Sequence, residues 1–212
     1  MKISILGGTG KLGKGLALRL ALAGYDVKIG SRDVKKAELK AEEYSEICNC
    51  TIEGSTNDEA ARWCDVAIVA IPWNNVLEFV KIHKGILCDK IVISPVVPMI
   101  EKDNLMVYKP PNNSMAEEIA KILNNKKVVS AFQNIPAGRF SNLSEKPEFD
   151  VIVCGDDLES KKIVMEIVNS IENLRALDGG PLYNSRIVES FTPLLINISI
   201  LNKIKELGIR LI

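Results

Sequence analysis

The sequence predicts an α/β protein: a doubly wound parallel sheet with a small C-terminal helical part. Three observations lead there. The chain opens on Lys2-Ile3-Ser4-Ile5-Leu6, an apolar run that halts at glycine and resumes in helix formers from Leu12 to Leu20. Asp65 to Ile71 is apolar without alternation, as in a central strand covered on both faces. Runs of both kinds then alternate along the chain, the pattern of a parallel sheet with helices on its two faces.

Taken in order, the first helix ends at Gly24, and Tyr25 to Ile29 is the second strand. Lys35 to Ile47 is a charged helix whose start Asp33 would cap. Cys50 to Glu53 is a short third strand, Asn57 to Cys64 a short helix, and Asp65 to Ile71 the central strand. Helix Asn75 to Leu87 leads to strand Lys90 to Ser94. The stretch Pro98 to Asn113, with Pro110-Pro111, reads as a loop, the most mobile of the chain. Helix Ser114 to Leu123 precedes strand Lys127 to Ala131; strand Asp150 to Cys154, helix Glu159 to Ile171 and strand Leu174 to Asp178 complete the alternation. The tail from Pro181 to Leu207 carries Leu182, Ile187, Val188, Leu194, Leu195, Ile198, Leu201 and Ile204 in one long helical pattern with apolar residues on more than one face. Such a helix packs on the parent domain, closes a cleft, or pairs with another subunit. The division is therefore 1–180 for the sheet domain and 181–212 for the helical segment.

Composition narrows the function. Lys plus Arg and Asp plus Glu both number 27, so no overall field favours nucleic acid or an anionic membrane. With no apolar run long enough to span a bilayer and no signal-peptide pattern, the chain is expected to be cytoplasmic. Five cysteines without a C-x-x-C spacing and a single histidine, His83, argue against a disulfide framework and against a metal site.

The chemistry gathers at strand ends. Gly8-Thr9-Gly10-Lys11-Leu12-Gly13 fits G-x-G-x-x-G between a strand and a helix, the dinucleotide-binding fingerprint of the Rossmann fold. One glycine makes the turn, one admits a pyrophosphate, and one lets helix pack on strand. An acidic residue that would take ribose hydroxyls is missing from the second strand end, where Gly30-Ser31-Arg32 stands with Lys36 a turn later. A hydroxyl, a guanidinium and an ammonium suit a 2′-phosphate, so the sequence favours NADP over NAD. Otherwise Arg32 and Lys36 are simply a solvated helix start. Ile71-Pro72-Trp73 ends the central strand and could pass a ribose or nicotinamide, or Trp73 could pack on its own helix. Gln133-Asn134-Ile135-Pro136-Ala137 ends another strand in polar amides and then an apolar strip open to a flat ring. No Tyr-x-x-x-Lys pair and no G-x-S-x-G elbow is present, so an enzyme built on this chain uses little acid or base catalysis.

Gly7 to Ala17, Ile29-Gly30-Ser31-Arg32, Ala70-Ile71-Pro72-Trp73, Val128 to Ala131, Cys154 to Asp157, Leu177 to Leu182 and Asn184 to Ile198 occur in an order that closely resembles the archaeal NADPH-dependent F420 reductases, the F420:NADP oxidoreductases. The resemblance runs end to end. It implies hydride transfer between NADP and the deazaflavin coenzyme F420 in a cleft closed by the C-terminal part. Carried over by position, it places Thr9 to Leu12 at the pyrophosphate, and Ser31, Arg32 and Lys36 at the 2′-phosphate. Ile71, Pro72, Trp73 and Ala137 fall at the nicotinamide half. Ile135 then positions the two rings, and Arg186, Ser190, Thr192 and Leu207 lie near the deazaflavin. Both coenzymes are small-molecule substrates, and a homodimer or higher homo-oligomer is expected. Two rival readings remain at this level: an NADP-dependent reductase of a small imine or hydroxy acid, and a non-enzymatic NADP sensor.

Overall fold

The computed structural model describes residues 1–146 and 148–212. Its core is an eight-stranded sheet built from β1 (Lys2–Leu6), β2 (Asp26–Ser31), β3 (Ile52–Thr56), β4 (Val66–Val69), β5 (Ile91–Ser94), β8 (Val128–Ser130), β9 (Phe149–Gly155) and β10 (Leu174–Asp178). The strand order is β10-β9-β8-β5-β4-β1-β2-β3. Six strands, from β3 to β8, are parallel, so their carboxyl ends share one edge; β9 pairs antiparallel with β8 and parallel with β10. The helices α1 (Lys11–Leu22), α2 (Val34–Cys48), α3 (Asn57–Trp63), α6 (Met115–Leu123) and α8 (Leu158–Ser170) alternate with these strands. The buried apolar residues divide into two clusters, as a sheet covered on both faces requires.

Several helix starts are dictated locally. Asp33 caps α2 by accepting the Lys36 N–H, as expected, and Thr56 and Ser114 each form a reciprocal capping box with Glu59 and Glu117. The helix start that matters most has no such cap: Gly10 precedes α1 and offers no side chain.

Three expectations are corrected and one element is added. The helix expected over 75–87 is two, α4 (Trp73–Ile82) and α5 (Lys84–Leu87), broken where the His83 ring stacks on Phe79 and pairs through Nδ1 with the Phe79 carbonyl oxygen. The expected loop 98–113 contains a hairpin, β6 (Met99–Lys102) and β7 (Leu105–Tyr108), whose turn residues Asp103 and Asn104 both have left-handed φ, 51° and 62°. That two-residue turn matches the twist of the strands it joins. The helix expected over 181–207 is a 3₁₀ turn at Leu182–Asn184 followed by α9 (Ser185–Asn202), which Lys203 ends in the left-handed conformation. Finally, Ala137–Ser141 forms a short helix, α7, after the strip at 133–136.

Candidate functional site

The carboxyl edge of the parallel strands carries a cleft of three adjoining cavities. The first, about 480 Å³, is lined by Thr9, Gly10, Ser31, Arg32, Lys36, Asn57, Asn75 and Glu78, among others. It shares Gly7, Gly10, Ala70, Ile71 and Pro72 with the second, about 370 Å³, which adds Lys11, Leu12, Gly13, Trp73 and the Pro95-Val96-Val97 segment. The second in turn shares Lys11, Gln133 and Thr192 with the third, about 400 Å³. Ile135, Pro136, Ala137, Leu195, Ile196, Glu206 and Leu207 complete that third chamber, which is mostly apolar.

The glycine turn joins the first two chambers. Gly7 turns the chain with φ +79° and gives its N–H to both the Gly30 carbonyl and Asn57 Oδ1, at 3.1 and 3.0 Å. Gly8 and Gly13 then lie in direct contact: a Cβ on Gly13 would stand 2.5 Å from the Gly8 carbonyl oxygen. Gly10 is the opposite case, with nothing within 4 Å of where its Cβ would be. Since no side chain caps α1 and no acidic residue sits in its first turn, its N–H groups face the cleft free, and an anion suits that position. At the far end, Ser31 Oγ already accepts the Asp33 N–H at 3.2 Å, which leaves the hydroxyl hydrogen to donate to a phosphate beside Arg32 and Lys36. The residues present therefore fit a dinucleotide with a 2′-phosphate.

Side chains brought from far apart in sequence build the third chamber. Phe132, buried and left-handed at φ +70°, turns the chain from β8 so that Gln133 and Asn134 face the cleft wall. Such a conformation costs on the order of 1–3 kcal/mol in a non-glycine residue. Thr192 Oγ1 donates to the Gln133 carbonyl at 2.8 Å and ties α9 to this strip, while the Gln133 amide donates to Ser130 Oγ. Gln133 Oε1 and Asn134 Oδ1 are buried with no donor among the described residues. Buried amide oxygens beside an otherwise apolar slot suit a flat heterocycle that carries N–H groups. From the tail, Glu206 accepts the Arg139 N–H at 2.6 Å and occupies the space a Gly138 side chain would need.

The sequence-derived sites thus fall into four groups. Thr9, Gly10, Lys11, Leu12, Gly13, Ser31, Arg32, Lys36, Ile71, Pro72 and Trp73 line the first two chambers, and Ile135, Ala137, Thr192 and Leu207 line the third. Gly8 lies beneath the turn against Ile5 and Ile29. Arg186 and Ser190 line none of the three chambers: Arg186 is held by both oxygens of Glu117 at 2.7 Å and by Asn113, and Ser190 bonds the Ile187 carbonyl. Sequence reasoning passed over Gly7, Asn57 and Glu206. Gly7 could have been found, since it completes Gly7-Gly8 at the strand end; Glu206 could not, because its partner lies 67 residues away.

Behind the cleft, Glu189 of α9 is fully buried and receives the Met115 and Ala116 N–H groups at the start of α6, together with the Tyr108 hydroxyl of the hairpin. Burial pushes its carboxyl up to about 7 against those three donors. One turn later on the same helix stands Thr192.

Comparison with known proteins gives the family. Residues 2–98 match the family described as "NADP oxidoreductase coenzyme F420-dependent". The chain is 42% identical to an F420-dependent NADP reductase of Methanocaldococcus jannaschii, over 100% of this chain and 98% of that one. It is 36% identical to the enzyme of the same name from Methanothermobacter thermautotrophicus, over 100% of this chain and 94% of that one. A crystal structure of a candidate F420-dependent NADP reductase from Arthrobacter sp. FB24 superposes with a TM-score of 0.85 at 21% identity, covering 100% of this chain and 99% of that one, which supports the fold.

Proposed function

The chain belongs to the F420-dependent NADP reductases, and from that premise we propose how its cleft divides between two coenzymes. The protein is an oxidoreductase that moves a hydride between F420 and NADP. The observation that carries the division is the line of three chambers with shared walls: a first that gathers Thr9, Ser31, Arg32 and Lys36, a second, largely apolar, that runs from the glycine turn past Trp73, and a third, apolar, closed by α9 and residues 206–207. Ser31, Arg32 and Lys36 hold the 2′-phosphate, the free N–H groups of α1 with Lys11 hold the pyrophosphate, and Ile71, Pro72 and Trp73 flank the nicotinamide half. Ile135, Thr192 and Leu207 hold the deazaflavin, and Ala137, expected at the nicotinamide half, joins them because it lines the third chamber. When bound, the two rings supply the redox chemistry themselves. What the chain adds is orientation: the 133–137 strip offers both rings a common support, and the Thr192 to Gln133 bond fixes the distance between α9 and that support. Arg186 and Ser190, assigned to the deazaflavin on resemblance, would act from behind the wall unless Arg186 exchanges Glu117 for a coenzyme group.

Reduced F420 deuterated at C5, turned over with NADP in ordinary water, tests this reading. Deuterium on one face of C4 in the NADPH is expected. Loss of label to solvent would mean that an exchangeable protein group intervenes, and no turnover would return the imine or hydroxy-acid reductase and the NADP sensor to consideration.

A second copy of the chain is the occupant we infer for the outer face of α9. Ile187, Leu194 and Leu201 are exposed at intervals of seven, a stripe that can meet its own image across a two-fold axis. Sedimentation equilibrium reads this directly; a monomer at micromolar concentration would refute it.

A further inference from the structure

We propose that Asp150 is a positioning residue for the deazaflavin chamber, holding its floor and its tail-built wall from one point. The inference rests on the assignment of the apolar chamber to F420. Asp150 lies on the part of β9 that runs past the last β8 pair, Ser130 with Cys154, and it is fully buried. Each of its polar groups has a separate task. Its carbonyl accepts the Asn134 side-chain amide at 3.2 Å, which sets one residue of the chamber floor. Its N–H donates to the Ile209 carbonyl at 2.8 Å. Its carboxylate accepts the Leu211 N–H at 2.6 Å, Arg210 Nη1 at 3.3 Å, and Arg175 through Nε and Nη2 at 2.8 and 2.7 Å. Arg175 closes the circuit by donating to the Leu211 carbonyl at 2.6 Å.

Residues 209–211 are thereby fixed just after Glu206 and Leu207, the tail residues that wall the chamber. Between them Gly208 rests so closely on the Phe149 ring that a Cβ would stand 2.3 Å from it, so the tail has no slack. Arg175 and Arg210 are both substantially exposed, and two such groups paired at the surface would contribute little. Against a buried carboxylate they count for more, since loss of either leaves the desolvated charge with fewer partners. Release of this latch frees Glu206 from the Arg139 N–H and opens the third chamber. The first two chambers contain no residue of the 203–212 stretch.

The test uses Asp150→Asn and, because a buried change could prevent folding, Arg210→Gln at the surface. Amide hydrogen exchange of Gly208 to Ile212 is measured without coenzyme, and steady-state constants are measured for each coenzyme. Both variants should lose protection in the tail. Asp150→Asn should raise the KM for F420 about tenfold, the equivalent of about 1.4 kcal/mol, with Arg210→Gln smaller and the KM for NADP unchanged in both. Unaltered tail exchange in both variants would overturn the latch. So would a freed tail with an unchanged KM for F420, or an equal rise for both coenzymes, which would mark a merely structural role. If the wild-type protein fails to use F420, the chamber assignment falls, while tail exchange still decides the latch.

Discussion

The two halves of the cleft are built by different means. The half assigned to the nucleotide is lined chiefly by short local motifs: Gly7 to Gly13, Ser31 with Arg32 and Lys36, Ile71 to Trp73. The half assigned to the deazaflavin is made of side chains that meet across long stretches of chain, Thr192 on Gln133 and Glu206 on Arg139. The first is a property of a local sequence and the second of a completed fold. Damage to them should therefore differ in kind.

The largest effect is expected where backbone meets backbone. Gly13→Ala puts a methyl 2.5 to 2.6 Å from the carbonyl oxygen, carbon and Cα of Gly8, none of which can turn aside. A loss of about 3 kcal/mol, or roughly 6–12 °C in Tm, should appear in thermal unfolding. Gly10→Ala, with nothing within 4 Å, should leave Tm alone and weaken NADP binding. If both variants unfold alike, the glycines of this motif are not divided between packing and ligand approach.

The side-chain half should show itself through pH. The Glu189 carboxyl stands at about 7 in the folded chain against an ordinary 4.5, because burial disfavours its charge. A raised carboxyl pKa means that the folded state binds the proton more tightly. The stabilisation is complete below about pH 4.5 and is lost as pH rises through 7, by roughly 3 kcal/mol. Asp150 works the other way: hydrogen bonds from Arg175 hold its pKa down, so its contribution is lost in more acidic solution, outside that window. Urea unfolding from pH 4.5 to 8 should therefore decline in the wild type and flatten in Glu189→Gln. An equal slope in both proteins would place the titration elsewhere.

A smaller effect sharpens the contrast. Arg32→Ala removes one charge-assisted contact of about 1.5–3 kcal/mol, so the Kd for NADP should rise roughly ten- to a hundredfold while that for NAD hardly moves. Equal weakening of both nucleotides would remove the 2′-phosphate from this position.

The same division explains what could be read from sequence. Ser31-Arg32, Lys36 and the glycine spacing are local, and every one of them lines the cleft or packs directly beneath it. The parallel strands were legible because burial on both faces leaves unbroken apolar runs such as Val66 to Val69. The hairpin at 99–108 was missed because its strands are four residues each and its turn is Asp103-Asn104 without glycine. The antiparallel turn of β9 leaves no trace in its own composition, and it alone brings Asp150 to the tail. Arg186 shows the limit of reading by position: its place in the motif is clear, yet in the fold its guanidinium is committed to Glu117.

Lys11, Gln133 and Thr192 belong to the second and third chambers at once. With the coenzymes divided as proposed, both meet the same three side chains. Any coupling through that wall is reciprocal: whatever factor NADP imposes on F420, F420 imposes on NADP. For a protein whose two substrates must lie against each other, a common wall makes the paired state a property of the ternary complex rather than the product of two independent sites.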